Sequence, residues 1–181
     1  MSSPQLSLTP EFVTAYRDMM LAGLSNEAKI TKRVLAAVPD EKRDYRPDPN
    51  ARSAWELATH LANVDIWFAD GIADLKFGSE EESKDQPKTS AELASWYEKE
   101  MTRAIDRVRN MTAEQLLTPV DFMGAFNMPV VMYLGFMNNH SIHHRGELCT
   151  HLRPMGSKCP SIYGGSYDEP WTGQQTTSNA A

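Results

Sequence analysis

Helical periodicity is the strongest pattern in this sequence of 181 residues. Apolar residues recur every three or four positions along four long segments, and each segment ends at proline, glycine or a polar linker. No segment shows the alternation of a β-strand with comparable strength. Helices are therefore predicted over residues 9–38, 53–75, 89–110 and 127–153, with a short helical turn at 112–117.

Capping signals indicate where the predicted helices begin. Pro10 follows the N-cap candidate Thr9, and proline is tolerated in a first helical turn because its missing N–H has no partner there anyway. Two further starts have the spacing of a capping box, in the pairs Ser53–Glu56 and Thr89–Glu92. The last helix is expected to carry Pro129 in its first turn and to end before Pro154.

The chain has the length of one all-α domain, and folding at this size buries about 70% of the unfolded surface. Residues 76–88 contain glycine, proline and three consecutive glutamates, which predicts an exposed loop long enough to cross one end of a bundle. The domain is expected to comprise residues 1–173, with an irregular tail after the last helix. Residues 174–181 are polar and are predicted to be disordered.

Composition excludes several classes of function. The chain has 18 Lys and Arg against 24 Asp and Glu, a net charge of -6 and no basic cluster, which argues against a nucleic-acid partner. It has no apolar run near ~20 residues, so no membrane span is predicted. Because the N-terminal residues lack a basic start and an apolar core, a cytoplasmic location is expected. Cys149 and Cys159 lie ten positions apart and fit neither a disulfide framework nor a zinc knuckle.

Four of the five histidines lie in the last predicted helix. At ~100° per residue, His140, His144, Glu147 and His151 share one polar stripe on the side that should face the core. Polar groups in that position need partners, since burying one unpaired costs about 1–3 kcal/mol.

His140 and His144 lie one helical turn apart, so both imidazoles can reach one metal ion. His151 lies two turns beyond His144, ~10 Å along the axis, and cannot serve the same centre. It is interpreted as a surface residue or as one that supports a ligand from behind. His60, the only histidine outside this helix, borders the apolar stripe of the second helix and is the candidate third ligand. Three imidazoles would leave coordination positions open, as in catalytic metal sites.

Simpler interpretations exist for the same residues. His60 fits a hydrogen-bonded core histidine, and the histidine pair can arise by chance in a helix rich in histidine. Asp65, ~140° from His60, is interpreted as solvated surface. Glu147 either accepts a hydrogen bond from a ligand imidazole or pairs with a nearby arginine. Cys149 faces away from His140 and is interpreted as a buried structural thiol.

The last helix also resembles a known family. The run NHSIHHRGEL at residues 139–148, with LRPMG at 152–156, resembles the HxxxHRGQL…LR…G signature of the DinB-like (YfiT-like) metal-binding proteins. The run CPSIYG at 159–164 resembles their tail, and His60 matches their earlier histidine. The resemblance spans residues 9 to about 171. It implies an up-down-down-up four-helix bundle, commonly a homodimer, that binds zinc or nickel through His60, His140 and His144.

Two features depart from the family pattern. Glu147 replaces the usual glutamine of the signature, which would add a negative charge near the ion or simply face solvent. His143 and His151 are additional imidazoles, so the sequence also allows a different set of histidines on the last helix to be the ligands.

The resemblance extends to thiol-dependent enzymes of the family, among them transferases that use low-molecular-weight thiols and a mycothiol-dependent isomerase. A metal-dependent thiol S-transferase acting on a small-molecule substrate is therefore the leading hypothesis. The alternatives are a metal-dependent hydrolase with Glu147 as base and a non-enzymatic bundle stabilised by its metal. The sequence has no Ser/His/Asp arrangement and no glycine-rich phosphate loop, and catalytic residues stay unassigned.

Overall fold

The computed structural model describes residues 8–78 and 87–171 of the chain. Its helices are, in chain order, α1 (Pro10–Ala36), α2 (Ala54–Ala73), α3 (Ser90–Arg109), α4 (Ala113–Leu117) and α5 (Tyr133–Leu152). Two strands, β1 (Pro119–Phe122) and β2 (Phe126–Pro129), lie between α4 and α5. The four long helices form the predicted all-α bundle, in which α1 and α2 each pack against both α3 and α5.

Side-chain caps start the helices where the sequence predicts. Thr9 accepts a hydrogen bond from the backbone N–H of Phe12, and Pro10 is the first residue of α1. Ser53 and Glu56 form a complete capping box at the start of α2. Thr89 and Glu92 form a second complete capping box at the start of α3. These caps satisfy backbone N–H groups that have no partner inside the helix.

Paired side chains reveal the direction of each helix. Arg103 on α3 binds Asp70 on α2, and Arg107 binds Asp74, with the same separation of 33 residues in both pairs. A constant separation means that α2 and α3 are parallel. The end of α2 and the start of α3 therefore lie at opposite ends of the bundle, whereas the sequence predicted a link across one end. Residues 79–86 of this predicted loop lie outside the described residues.

Two further helix pairs, α1 with α3 and α2 with α5, are antiparallel. Lys32 near the end of α1 binds Glu98 in the first half of α3, while Arg17 near the start of α1 donates to the carbonyl of Met111 just beyond α3. On α5, the ring of His144 packs against His60 of α2, whereas the earlier His140 packs against the later Phe68. The order is therefore up-down-down-up.

A short hairpin separates α4 from α5, and here the sequence-based prediction was wrong. Strand β1 pairs antiparallel with β2 through Pro119↔Pro129 to Phe122↔Phe126, and Gly124 turns the chain at φ 76°. Asn127 and Met128 therefore belong to a strand, and α5 begins only at Tyr133, after a 3₁₀ turn. Strands of four residues are too short for their alternation to be recognised. Pro129 ends a strand instead of opening a helix.

The residues after α5 form the expected irregular tail, which packs on the bundle. Lys42 donates to the carbonyl of Met155 at 2.9 Å, and Ser157 donates to the carbonyl of Ala37 at 2.6 Å. The segment predicted to be disordered, residues 174–181, lies outside the described residues, and the limits of the single domain stay a prediction. Within residues 8–78 and 87–171, none of the helices is long and apolar enough to cross a bilayer.

Candidate metal centre

Three imidazoles meet between α2 and α5. His60 projects from α2, and His140 and His144 project from α5, one turn apart. The ring centroids of His60 and His144 are 4.8 Å apart, and those of His140 and His144 are 4.4 Å apart. Each ring offers one nitrogen, and these nitrogens lie within 4.8 Å of one another. The antiparallel packing of the two helices thus gathers the three histidines that the sequence suggested as ligands.

The spacing of two of these nitrogens matches that of two ligands on one metal ion. Nε2 of His140 lies 3.3 Å from Nε2 of His60. Two imidazoles bound to one tetrahedral ion at about 2.0–2.1 Å would have their nitrogens about 3.3–3.4 Å apart. Imidazole ligands suit zinc, nickel, copper and iron alike, so the donor set is compatible with a divalent ion without selecting one.

The rings are partly accessible, so a small molecule can approach them. The His140 side chain is 19% exposed and the His144 side chain is 13% exposed. Phe68 lies beside His140, with ring centroids 6.0 Å apart, and stacks on Phe122 of the hairpin. The hairpin missed by the sequence analysis therefore contributes to an aromatic layer next to the histidines.

Asp65 lies behind His140, although the sequence analysis placed it on the solvated surface. The residue is 0% exposed. Its Oδ2 accepts hydrogen bonds from Tyr97 Oη at 2.8 Å and from Ser141 Oγ at 2.9 Å, and its Oδ1 lies 3.6 Å from Nδ1 of His140. The angle from His60 was misleading because α2 packs on both α3 and α5 and buries most of its circumference. The sequence did indicate burial at this position, because Asp65 lies between the apolar residues Val64 and Ile66.

Glu147 contacts the imidazole of His144. Its Oε2 lies 3.1 Å from Nδ1 of His144, so Glu147 contacts a candidate ligand imidazole, as the first of its two interpretations requires. The neighbouring Arg145 binds Glu27 on α1 instead. The glutamate that replaces the family's glutamine therefore contacts a candidate ligand rather than solvent alone.

Burial keeps two of the rings neutral. It lowers the pKa of His60 to about 4, and the positive charge of Arg52 acts in the same direction. Burial also lowers the pKa of His144, although the hydrogen bond with Glu147 opposes the shift. A neutral imidazole is the form that binds a metal, so protons compete weakly for these nitrogens near pH 7.

The two additional histidines have different environments. His143 is exposed, and together with His144 and Glu147 it forms a second group with metal-ligand spacing, so the alternative register shares His144 with the first. His151 is only 2% exposed, packs edge-on against Tyr45 and lies 3.0 Å from the carbonyl of Glu147. Its interpretation as a surface residue was wrong.

The cysteines lie outside the histidine group. Both are free thiols and partly buried. Burial raises the pKa of Cys149 to about 12, and the neighbouring Cys159 adds to the shift. A thiol with such a pKa stays protonated near neutral pH and is a poor metal ligand, in agreement with a structural role.

Comparison with known proteins identifies the family. The sequence model of the DinB family matches residues 12–177. The chain belongs to the DinB family. It is 26% identical over 129 residues to the uncharacterized protein YjoA of Bacillus subtilis, which covers 70% of this chain and 82% of YjoA. The uncharacterized protein YrdA of the same organism is 24% identical over 153 residues, or 84% of this chain and 90% of YrdA.

Crystal structures of DinB-like proteins share the fold. YjoA superposes with a TM-score of 0.67 at 22% identity, covering 80% of this chain and 97% of that structure. A DinB-like protein of Bacillus cereus gives a TM-score of 0.69 at 25% identity, covering 81% of this chain and 97% of that structure. The helical bundle implied by the resemblance to the DinB-like family is thereby confirmed.

Proposed function

We propose that this DinB-family protein binds one divalent metal ion, zinc or nickel, through His60, His140 and His144, and transfers a low-molecular-weight thiol to an electrophilic substrate. The observation that carries the proposal is the convergence of three partly exposed imidazoles from two helices, with Nε2 of His60 and Nε2 of His140 at 3.3 Å, the separation expected of two ligands of one ion. Three ligands from the chain leave room for a further ligand.

The chain's own residues have separate tasks in this proposal. The three imidazoles hold the ion, and Glu147 fixes the ring of His144 through its Nδ1. Phe68, which is only 6% exposed, packs beside His140 and keeps water away from that side of the ring. A divalent ion held there acts as a Lewis acid that lowers the pKa of a thiol or water ligand.

The proposed transfer is a substitution at an electrophilic carbon. The thiol loses its proton to solvent, and the sulfur uses the electron pair that remains to form a carbon–sulfur bond. The bond from that carbon to its leaving group breaks, and the leaving group departs with the bonding pair. This step requires neither an oxidant nor a general base from the chain, because a divalent ion held by the three imidazoles would lower the pKa of the thiol enough for it to lose its proton near neutral pH.

Thiol transfer is favoured over hydrolysis by the position of Glu147. Hydrolysis needs a base within hydrogen-bond reach of the attacking water. Glu147 was the only candidate base in the sequence analysis, and its Oε2 is directed to Nδ1 of His144. The homodimer expected of the family and the small-molecule thiol partner stay predictions.

Metal analysis by inductively coupled plasma mass spectrometry tests the site. Wild-type protein reconstituted with zinc or nickel is expected to retain about one ion per chain, because three neutral imidazoles converge there. His60→Ala and His144→Ala should lose the ion. His143→Ala is the matched control, since His143 is exposed and adjacent in sequence, and it should retain the ion. Loss in His143→Ala with retention in His60→Ala would instead favour the register that contains Glu147.

Activity is tested on the same four proteins. Loaded wild type and His143→Ala should form thioether from a halogenated bimane and glutathione, cysteine or coenzyme A, observed by fluorescence above the uncatalysed rate. The His144→Ala protein should not. Full metal occupancy without thioether formation for all three thiols would contradict the transferase and leave the non-enzymatic bundle.

A further inference from the structure

Asp65 and His140 form a buried polar pair that the fold leaves incomplete. Oδ1 of Asp65 and Nδ1 of His140 are both buried, and neither has a hydrogen-bond partner within residues 8–78 and 87–171. The two atoms face each other at 3.6 Å, slightly beyond hydrogen-bond distance. Buried polar atoms without partners are rare in proteins and call for an explanation.

The rest of the Asp65 carboxylate is fully engaged. Its Oδ2 accepts from Tyr97 of α3 and from Ser141 of α5, so donors from two neighbouring helices hold the group in place. Both hydroxyls approach the same oxygen, which leaves Oδ1 directed at His140. The carboxylate is therefore aimed at the imidazole by groups that do not themselves belong to the histidine cluster.

A carboxylate facing Nδ1 determines which nitrogen of His140 carries the proton. An ionised carboxylate can only accept hydrogen bonds, so the favoured neutral imidazole has its proton on Nδ1. Nε2 then has a free lone pair, and Nε2 is the atom that lies 3.3 Å from Nε2 of His60. The tautomer favoured by Asp65 is thus the one that can coordinate a metal.

We propose that Asp65 is a positioning residue of the metal site, which acts through His140 by holding its ring in the Nδ1-protonated tautomer with Nε2 directed at the ion. This inference rests on the proposed function, because it assigns a role in metal binding. Carboxylates that accept from a metal-ligating histidine fix its orientation and raise its basicity, and their loss typically lowers metal affinity about 10–100-fold.

A purely structural role is the competing explanation, because Asp65 also connects three helices. Four variants separate the roles. Tyr97→Phe and Ser141→Ala each remove one hydrogen bond to Oδ2 and leave Oδ1 facing His140. Asp65→Asn keeps the shape of the side chain but replaces the carboxylate. Asp70→Asn, on the same helix and engaged with Arg103 and Arg107, controls for the loss of one negative charge.

The experiment measures zinc affinity by competition with a chromophoric chelator. Asp65→Asn should bind zinc about 10–100-fold more weakly than wild type. Tyr97→Phe, Ser141→Ala and Asp70→Asn should stay within about threefold, well below that range. Equal affinity of Asp65→Asn and wild type would overturn the inference and leave the proposed function intact. A loss in Tyr97→Phe as large as in Asp65→Asn would assign Asp65 a structural role. Wild type that binds neither zinc nor nickel would overturn the proposed function itself.

A second measurement does not depend on a variant that folds or on a metal. Long-range ¹H–¹⁵N NMR spectra of the metal-free wild type distinguish the two neutral tautomers of a histidine. The proposal requires the Nδ1-protonated tautomer for His140. Observation of the Nε2-protonated tautomer would overturn it, whether or not the protein binds a metal.

Discussion

At the scale of single residues, His60 and His140 lie 80 positions apart in the sequence, yet their Nε2 atoms lie 3.3 Å apart in the fold. Their meeting could be suggested from sequence because each lies on the side of its helix that faces the bundle. The role of Asp65 could not be suggested, since it depends on α2 being enclosed by α3 and α5. Periodicity identifies the centre of an apolar face better than its width.

The lowered pKa of His60 predicts a pH dependence of stability in the metal-free protein. The pKa is about 4 in the folded chain against an ordinary 6.5. At pH values between these two, His60 is protonated in the unfolded chain but not in the folded chain. The free energy of unfolding therefore falls as the pH falls from about 6.5 to about 4. His60→Asn should weaken this dependence in urea unfolding measured at several pH values. His143→Asn, with its exposed ring, is the control, and an unchanged pH dependence in His60→Asn would contradict the assignment.

At the scale of elements, the helices were predictable because their signals are local. The capping boxes at Ser53 and Thr89 lie within four residues of sequence and place the start of α2 and α3 correctly. The hairpin was missed because what stabilises it is not local. Tyr133 at the start of α5 donates from its Oη to the carbonyl of Val120 at 2.7 Å. That contact exists only once the hairpin has folded back on α5.

Removal of this hydroxyl is expected to destabilise the protein. Tyr133 is 0% exposed, so Tyr133→Phe leaves the carbonyl of Val120 without its buried donor. The expected loss is about 1–2 kcal/mol in the free energy of unfolding, measured by urea denaturation. Tyr167→Phe is the matched control because Tyr167 is 89% exposed, and it should change stability by less than about 0.5 kcal/mol. Equal effects of the two substitutions would contradict the anchoring role.

At the scale of the whole molecule, the three-histidine group proposed to bind a metal joins the two halves of the chain. The long link between α2 and α3 makes these helices parallel, and α5 then returns antiparallel beside α2. His60 precedes this link, while His140 and His144 follow it. An ion bound by all three would therefore connect segments that the crossover separates, and would bind the folded chain far better than the unfolded one.

Metal binding should consequently raise the melting temperature. A ligand at 100 times its Kd adds about 2.7 kcal/mol to the stability of the state that binds it. For a chain of this size that corresponds to about 5–10 °C, measured by scanning calorimetry with zinc and after chelation. His144→Ala should show no such shift, while His143→Ala should retain it. A shift of equal size in wild type and His144→Ala would place the stabilising ion elsewhere, because a site without His144 has lost the ligand common to both registers.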